Sequence, residues 1–199
     1  MTNTSATGGY LVPTSSAALP GGLTLNQFIH NVLVGISGLD NTLVRPSWQI
    51  EPPKYPAIDV NWMAFGINTI TPDANAFVQI NNDGSESFQR HEMLEIGLSF
   101  YGPELIYYSS LVRDGFQTTQ NLEALRAANM GFTGVGPQQR VPDLLNERWV
   151  NRMTMSLFIR RQIQRVYPVL ALVSANGTIH TVLSNGDDYN LNFLAEEEI

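Results

Sequence analysis

Phe88-Gln89-Arg90-His91-Glu92-Met93-Leu94-Glu95-Ile96-Gly97-Leu98-Ser99-Phe100-Tyr101, followed at once by Gly102-Pro103-Glu104, decides the fold class of this chain. Leu94, Ile96, Leu98 and Phe100 recur at every second position, which places all four on one side of an extended strand. Beyond Gly102 the period changes. Leu105, Tyr108, Val112 and Phe116 share one face of a helix, with Pro103 at its first turn and Glu104 near the positive end of its dipole. A half-buried strand that runs into an amphipathic helix predicts an α+β fold, an antiparallel or mixed sheet with helices packed on one face.

Upstream, Trp62 to Ile70 reads as a strand, Pro72-Asp73-Ala74-Asn75 as a turn and Ala76 to Asn81 as the return strand. With the tight turn at Asp83-Gly84 these predict a meander of three strands. Earlier still, Leu25, Phe28, Ile29, Val32, Leu33 and Ile36 follow helical spacing. Thr24 and Gln27 have capping-box spacing, and Gly35 and Gly38 mark the exit. Between helix and strands lie a short extended piece, Thr42 to Trp48, and a proline-stiffened loop holding Pro52, Pro53 and Pro56.

Downstream, a short helix is expected over Asn121 to Ala128, ended by Gly131, and then a Gly- and Pro-punctuated loop over 131–142. Alternation returns with Trp149, Met153, Met155, Leu157 and Ile159 facing one way, a long strand that Pro168 ends. A last hairpin is expected from Val169 to Leu183 with its turn at Asn176-Gly177. The domain reading is a flexible arm over 1–22, one α+β domain over 23–183 and an acidic C-terminal tail over 184–199.

Composition removes several classes. The chain has 199 residues, no Cys, 11 Lys+Arg against 18 Asp+Glu and a formal charge of −7. Without Cys there is no disulfide framework, thiolate zinc site, iron–sulfur cluster or cysteine nucleophile. The acidic balance argues against a surface built to grip nucleic acid phosphates. The longest apolar runs, such as Val169 to Val173, fall far short of a membrane span, and residues 1–22 lack the pattern of a signal peptide. The expectation is a protein made in the cytoplasm. At 43% hydrophobic and 15% charged residues it is globular with a charge-poor surface, which leans towards assembly with a partner.

Chemistry-bearing clusters are sparse. His91-Glu92-x-x-Glu95 brushes against the HExxH zinc pattern but lacks its second His and alternates like a strand, so surface polar residues are the plainer reading. His30 and His180 have no partner at ligand spacing and are expected to be solvated. Gly131, Gly134 and Gly136 lack the strand-to-helix context and the Lys of a phosphate loop. Asp187-Asp188 and Glu196 to Glu198 lack the ligand spacing of a calcium loop. The reading is no enzyme, no catalytic residues, no metal and no cofactor.

The cations are more informative, being ten Arg and one Lys, Lys54. Arg148, Arg152, Arg160, Arg161 and Arg165 crowd residues 148–165. Subunit or lumen contact, for example with Asp187, Asp188 or Glu196 to Glu198 of the same or a neighbouring copy, is the first reading. A solvated sheet face comes close behind it, and nucleic-acid contact third.

Taken in order, a set of short segments resembles the neck (tail) terminator proteins of tailed bacteriophages. They are Gln27-Phe28-Ile29, Arg45-Pro46-Ser47-Trp48-Gln49, Glu51-Pro52-Pro53, Asp59-Val60-Asn61-Trp62 and Ala64-Phe65-Gly66-Ile67. Pro72 to Ala76, Arg90-His91-Glu92, Ser99 to Pro103 and Arg113-Asp114-Gly115 follow. Gln120-Asn121-x-Glu123-Ala124-Leu125, Asn146-Glu147-Arg148-Trp149-Val150 and Tyr167 to Leu170 complete the set, which covers about residues 24 to 181.

The resemblance implies a structural protein of the virion neck with a terminator-like α+β fold. Such a protein caps the head-proximal end of the tail and ends polymerisation of the tube. It joins a head–tail connector protein, the tail tube protein and, in a contractile tail, the sheath protein. It forms a ring, usually sixfold, through whose lumen DNA passes without specific binding, and it has no membrane contact. Arg45, Trp48, Glu51, Trp62, Asn146, Glu147 and Trp149 are the motif positions that the resemblance marks as candidates for the fold or its interfaces. Two alternatives are another connector or completion protein of the neck, and a soluble binding domain with no virion role.

Overall fold

The computed structural model describes the chain except residues 1–2, 4–6, 18–23, 52, 146–147, 170–173, 183–187 and 197–199. In chain order the elements are β1 (Ser15–Ala17), α1 (Thr24–Ser37), β2 (Val44–Pro46), β3 (Trp62–Pro72), β4 (Phe77–Ile80) and β5 (Glu86–Tyr101). Then come α2 (Leu105–Gly115), α3 (Glu123–Ala127), β6 (Met130–Val135), β7 (Gln139–Arg140), β8 (Asp143–Leu145) and β9 (Arg148–Val150). Strands β10 (Arg152–Tyr167), β11 (Ser174–Val182) and β12 (Asp188–Glu196) complete the chain. The fold is α+β. Its main sheet runs β1-β10-β5-β3-β2, with β4 added to β5 and with β6 and β7 added to β10. It is a mixed sheet, because β2 pairs parallel with β3.

The chain divides into two compact units. The larger comprises 17–76 and 90–163. Its core is the alternation read from the sequence made physical. Leu94, Ile96, Leu98 and Phe100 of β5 are at most 1% exposed, and Met153, Met155, Leu157 and Ile159 of β10 are buried with them. Across β5 lies β3, antiparallel, with Met63 opposite Phe100 and Phe65 opposite Leu98. Helix α1 closes this layer with Ile29, Val32 and Leu33, α2 with Leu105 and Val112, and α3 with Leu125; Phe116 packs just past the end of α2. Burying such side chains at roughly 25 cal/mol per Å² of apolar surface is what holds the helices on the sheet.

The smaller unit comprises 1–16, 77–89 and 164–199. Here β4 pairs with the first residues of β5, from Phe77 opposite Gln89 to Ile80 opposite Glu86. Phe88 meets Tyr167 edge-on at 5.0 Å, and the Thr14 amide donates to the Val166 carbonyl. Strands β11 and β12 form a separate two-stranded hairpin.

Several expectations need correction. The three strands are not a simple meander, since β5 pairs with both β3 and β4. Ser15–Ala17 of the arm forms β1, and 188–196 of the acidic tail forms β12. Asn176-Gly177 is not a turn. Both residues lie inside β11 opposite Leu194 and Phe193, and Gly177 leaves room for the Phe193 ring, which would stand 2.9 Å from a Cβ there. The local turn signal loses to the longer ladder, whose connection at 183–187 lies outside the described residues. Gly131 does not end α3: Asn129 takes the left-handed conformation at φ 54°, and Gly131 and Gly134 belong to β6, paired with β10. Trp149 does not share the buried face of the long strand, because Asn151 interrupts the ladder and β9 pairs with β8 instead. The Gln27 side-chain amide donates forward to Asn31 at 3.0 Å.

Candidate interaction surface

Three arginines of the cluster pair with carboxylates of the same chain. Arg161 donates Nε and Nη2 to Glu92 Oε2 at 2.9 and 2.7 Å, with both side chains largely buried. Arg160 pairs with Asp73 at 2.6 Å and Arg152 with Asp143 at 2.8 Å. Within the cluster Arg165 is exposed with no ion pair to another described residue, and Arg148 lies on β9. The other carboxylate of the HExxE stretch, Glu95, accepts from the Ser156 hydroxyl. Thus the segment that brushed against a zinc motif is strand polarity satisfied by β10. Likewise His30 is not simply solvated, for its Nε2 lies 3.0 Å from the Asn41 carbonyl and its ring tilts towards Phe65.

A substitution at the buried pair separates intrachain from intersubunit roles. Arg161→Met strands the Glu92 carboxylate and costs about 2–3 kcal/mol of stability. Glu92→Gln costs less, and the double variant recovers part of the loss, as urea unfolding of the four proteins will show. Purely additive losses would mean that the pair contributes nothing through its contact.

Of the motif positions, Arg45 and Trp62 come together. Arg45 donates Nε to the Thr42 carbonyl and Nη1 to the Lys54 carbonyl, so it pins the proline-rich loop to the start of β2. Its guanidinium lies 5.7 Å from the Trp62 ring centroid, a cation–π arrangement. On its other side Trp62 stacks on Tyr101, with centroids 4.1 Å apart, and Tyr55 meets it edge-on at 5.5 Å. These groups, with Ser47, Gln49 and Arg152, line a pocket of about 200 Å³. Burial raises the Tyr101 hydroxyl above its ordinary range, against the pull of Arg152. The Nε of Arg152 is buried without a hydrogen-bond partner.

Trp48 and Trp149 are both 69% exposed, and Glu51 is exposed as well. The Trp48 ring lies against Gly66, where an added Cβ would fall 2.6 Å from it. Trp149 sits on the β8–β9 hairpin, which the Arg152–Asp143 pair ties to the pocket. Asn146 and Glu147 lie outside the described residues. Tyr55 and Tyr101 were missed from the sequence. The signal for Tyr101 lay in the β3–β5 register, which sets it opposite Trp62.

Among the described residues no three His, Asp or Glu side chains gather as metal ligands, and no helix is long and apolar enough to cross a membrane. What the fold presents is exposed Trp48, Trp149 and Tyr55, with Tyr55 lining the same pocket as Arg45 and Arg152, residue types enriched at protein–protein interfaces. No curated protein matches the chain. The model of the phage neck terminator protein family matches residues 23–185, and the chain belongs to that family, whose role is structural and at the phage neck.

Proposed function

We propose that the chain acts by stoichiometric assembly, without catalysis, as the piece that caps the head-proximal end of a phage tail. In this role it ends polymerisation of the tube, and of the sheath in a contractile tail, and joins the tail to the head connector. It works as a closed ring of copies, six being the number that the resemblance implies, with DNA passing through the lumen in the finished virion. The family match over residues 23–185 carries this reading. A charge of −7 supports the conduit, because an acidic wall lets DNA slide where a basic one would hold it.

The test is the mass of the purified protein by light scattering, with negative-stain images of the same peak. Rings with a central hole, alone or on added tail tubes from the same phage, are the expected result. A protein that stays monomeric and ignores both tubes and connectors would end the capping reading.

A further inference from the structure

Two exposed surfaces of the chain are unlike and complementary. The first is the arginine–aromatic surface: Arg45 and Arg152 line its pocket, and Trp48 and Tyr55 rise from the loop beside it, at 69% and 59% exposure. Arg152 is held from within the chain, Nη1 pairing with Asp143 at 2.8 Å, whereas Arg45 has no carboxylate partner among the described residues. Lys54, the chain's one lysine, lies in the same loop.

The second surface is the β4–β5 hairpin. All four residues of β4, Phe77-Val78-Gln79-Ile80, are exposed, and β4 pairs only with β5 among the described residues. Natural edge strands are guarded by charge, proline or a bulge against adding another strand. This one carries neither charge nor proline, and Phe77 is 62% exposed. At its tip, Asp83 Oδ1 accepts from the Ser85 amide and hydroxyl, while Oδ2 has no partner among the described residues. The hairpin therefore offers apolar side chains, a free strand edge and a carboxylate.

We propose that copies of the chain join head to tail, the β4–β5 hairpin of one copy seating on the arginine–aromatic surface of the next, with Asp83 directed at Arg45. Charge complementarity selects a second copy as the occupant: the free carboxylate oxygen of Asp83 meets the guanidinium of Arg45, which bonds only backbone carbonyls, and every copy carries both. Because the two surfaces differ, the contact is heterologous and propagates until it closes, as a ring requires; a surface pairing with itself would stop at a twofold dimer. The inference rests on the ring reading above and assigns its interface.

The absence of cysteine makes a clean test. Ser47→Cys at the pocket and Asn82→Cys at the hairpin tip leave the proposed contact groups in place, and a short bismaleimide reports which sites meet. The double variant is expected to give a ladder from dimer upwards on a denaturing gel. Each single variant is expected to remain monomeric, and an equimolar mixture of the two singles to stop at dimer. Efficient self-linking of either single variant would overturn the head-to-tail arrangement. Rings seen by scattering and imaging without a ladder would overturn this interface and leave the capping function standing. A protein with neither rings nor ladder would count against both.

Discussion

Phe100→Ala lowers stability by about 3–5 kcal/mol, a large part of the roughly 5–15 kcal/mol that holds a natural domain folded. Phe100 is fully buried on β5 opposite Met63, inside the cluster that joins β3, β10, α1 and α2. Truncation removes the apolar contacts of a whole ring and leaves a cavity that neighbours in a sheet cannot collapse to fill. The neighbouring position is the control. Ser99 points to the other face and lines the open pocket, so Ser99→Ala is expected to change stability by less than about 0.5 kcal/mol. Urea unfolding followed by far-ultraviolet circular dichroism measures both. Equal losses at the two positions would contradict the one-sided burial of β5.

That contrast shows which parts of the fold were legible in the sequence. Alternation was readable on β5 and β10 because one face of each strand is buried and the other is not, so the pattern carries the burial directly. The order of pairing was not. Turn signals at Pro72 to Asn75 and at Asp83-Gly84 are local and argue for neighbours in sequence, whereas Trp62 opposite Tyr101 is a tertiary register that no short window contains. Strand β6 was hidden for a related reason. Gly131 and Gly134 within it and Gly136 just beyond it read like a loop, and only its pairing with β10 makes it a strand.

The site was legible in the same uneven way. The arginines between 148 and 165 stood out by composition, but the partners of Arg160 and Arg161 are Asp73 and Glu92, 87 and 69 positions away in the chain. Their role as intrachain ties was therefore invisible, as was that of Arg152 with Asp143, while Arg45 is left without a carboxylate partner among the described residues, beside exposed aromatics. Arg45 and Trp62 were found through the resemblance. Tyr55 and Tyr101 needed the folded loop and the sheet register to join them.

Gly102→Ala is expected to cost about 2–5 kcal/mol, and a second substitution shows why. Gly102 ends β5 at φ 103°, a backbone region that side-chain-bearing residues avoid, and it precedes Pro103, which restricts it further. It also makes the turn that delivers α2, with its buried Leu105 and Val112 and with Phe116 just past its end, to the core. A Cβ there would fall 2.5 Å from Asn61 Oδ1, 2.6 Å from the Val60 carbonyl oxygen and 2.7 Å from Asn61 Cα. The first obstacle is a side chain that clamps the start of α2, accepting from the Glu104 amide and donating to its carboxylate. The other two are backbone. If the Asn61 side chain were the whole obstacle, Asn61→Ala would relieve Gly102→Ala. Because backbone stands behind it and the dihedral strain persists, the double variant is expected to be less stable than Gly102→Ala alone, having lost the clamp without gaining the space. Urea midpoints of the four proteins decide between these outcomes, and recovery of stability in the double variant would place the constraint in the clamp and not in the turn.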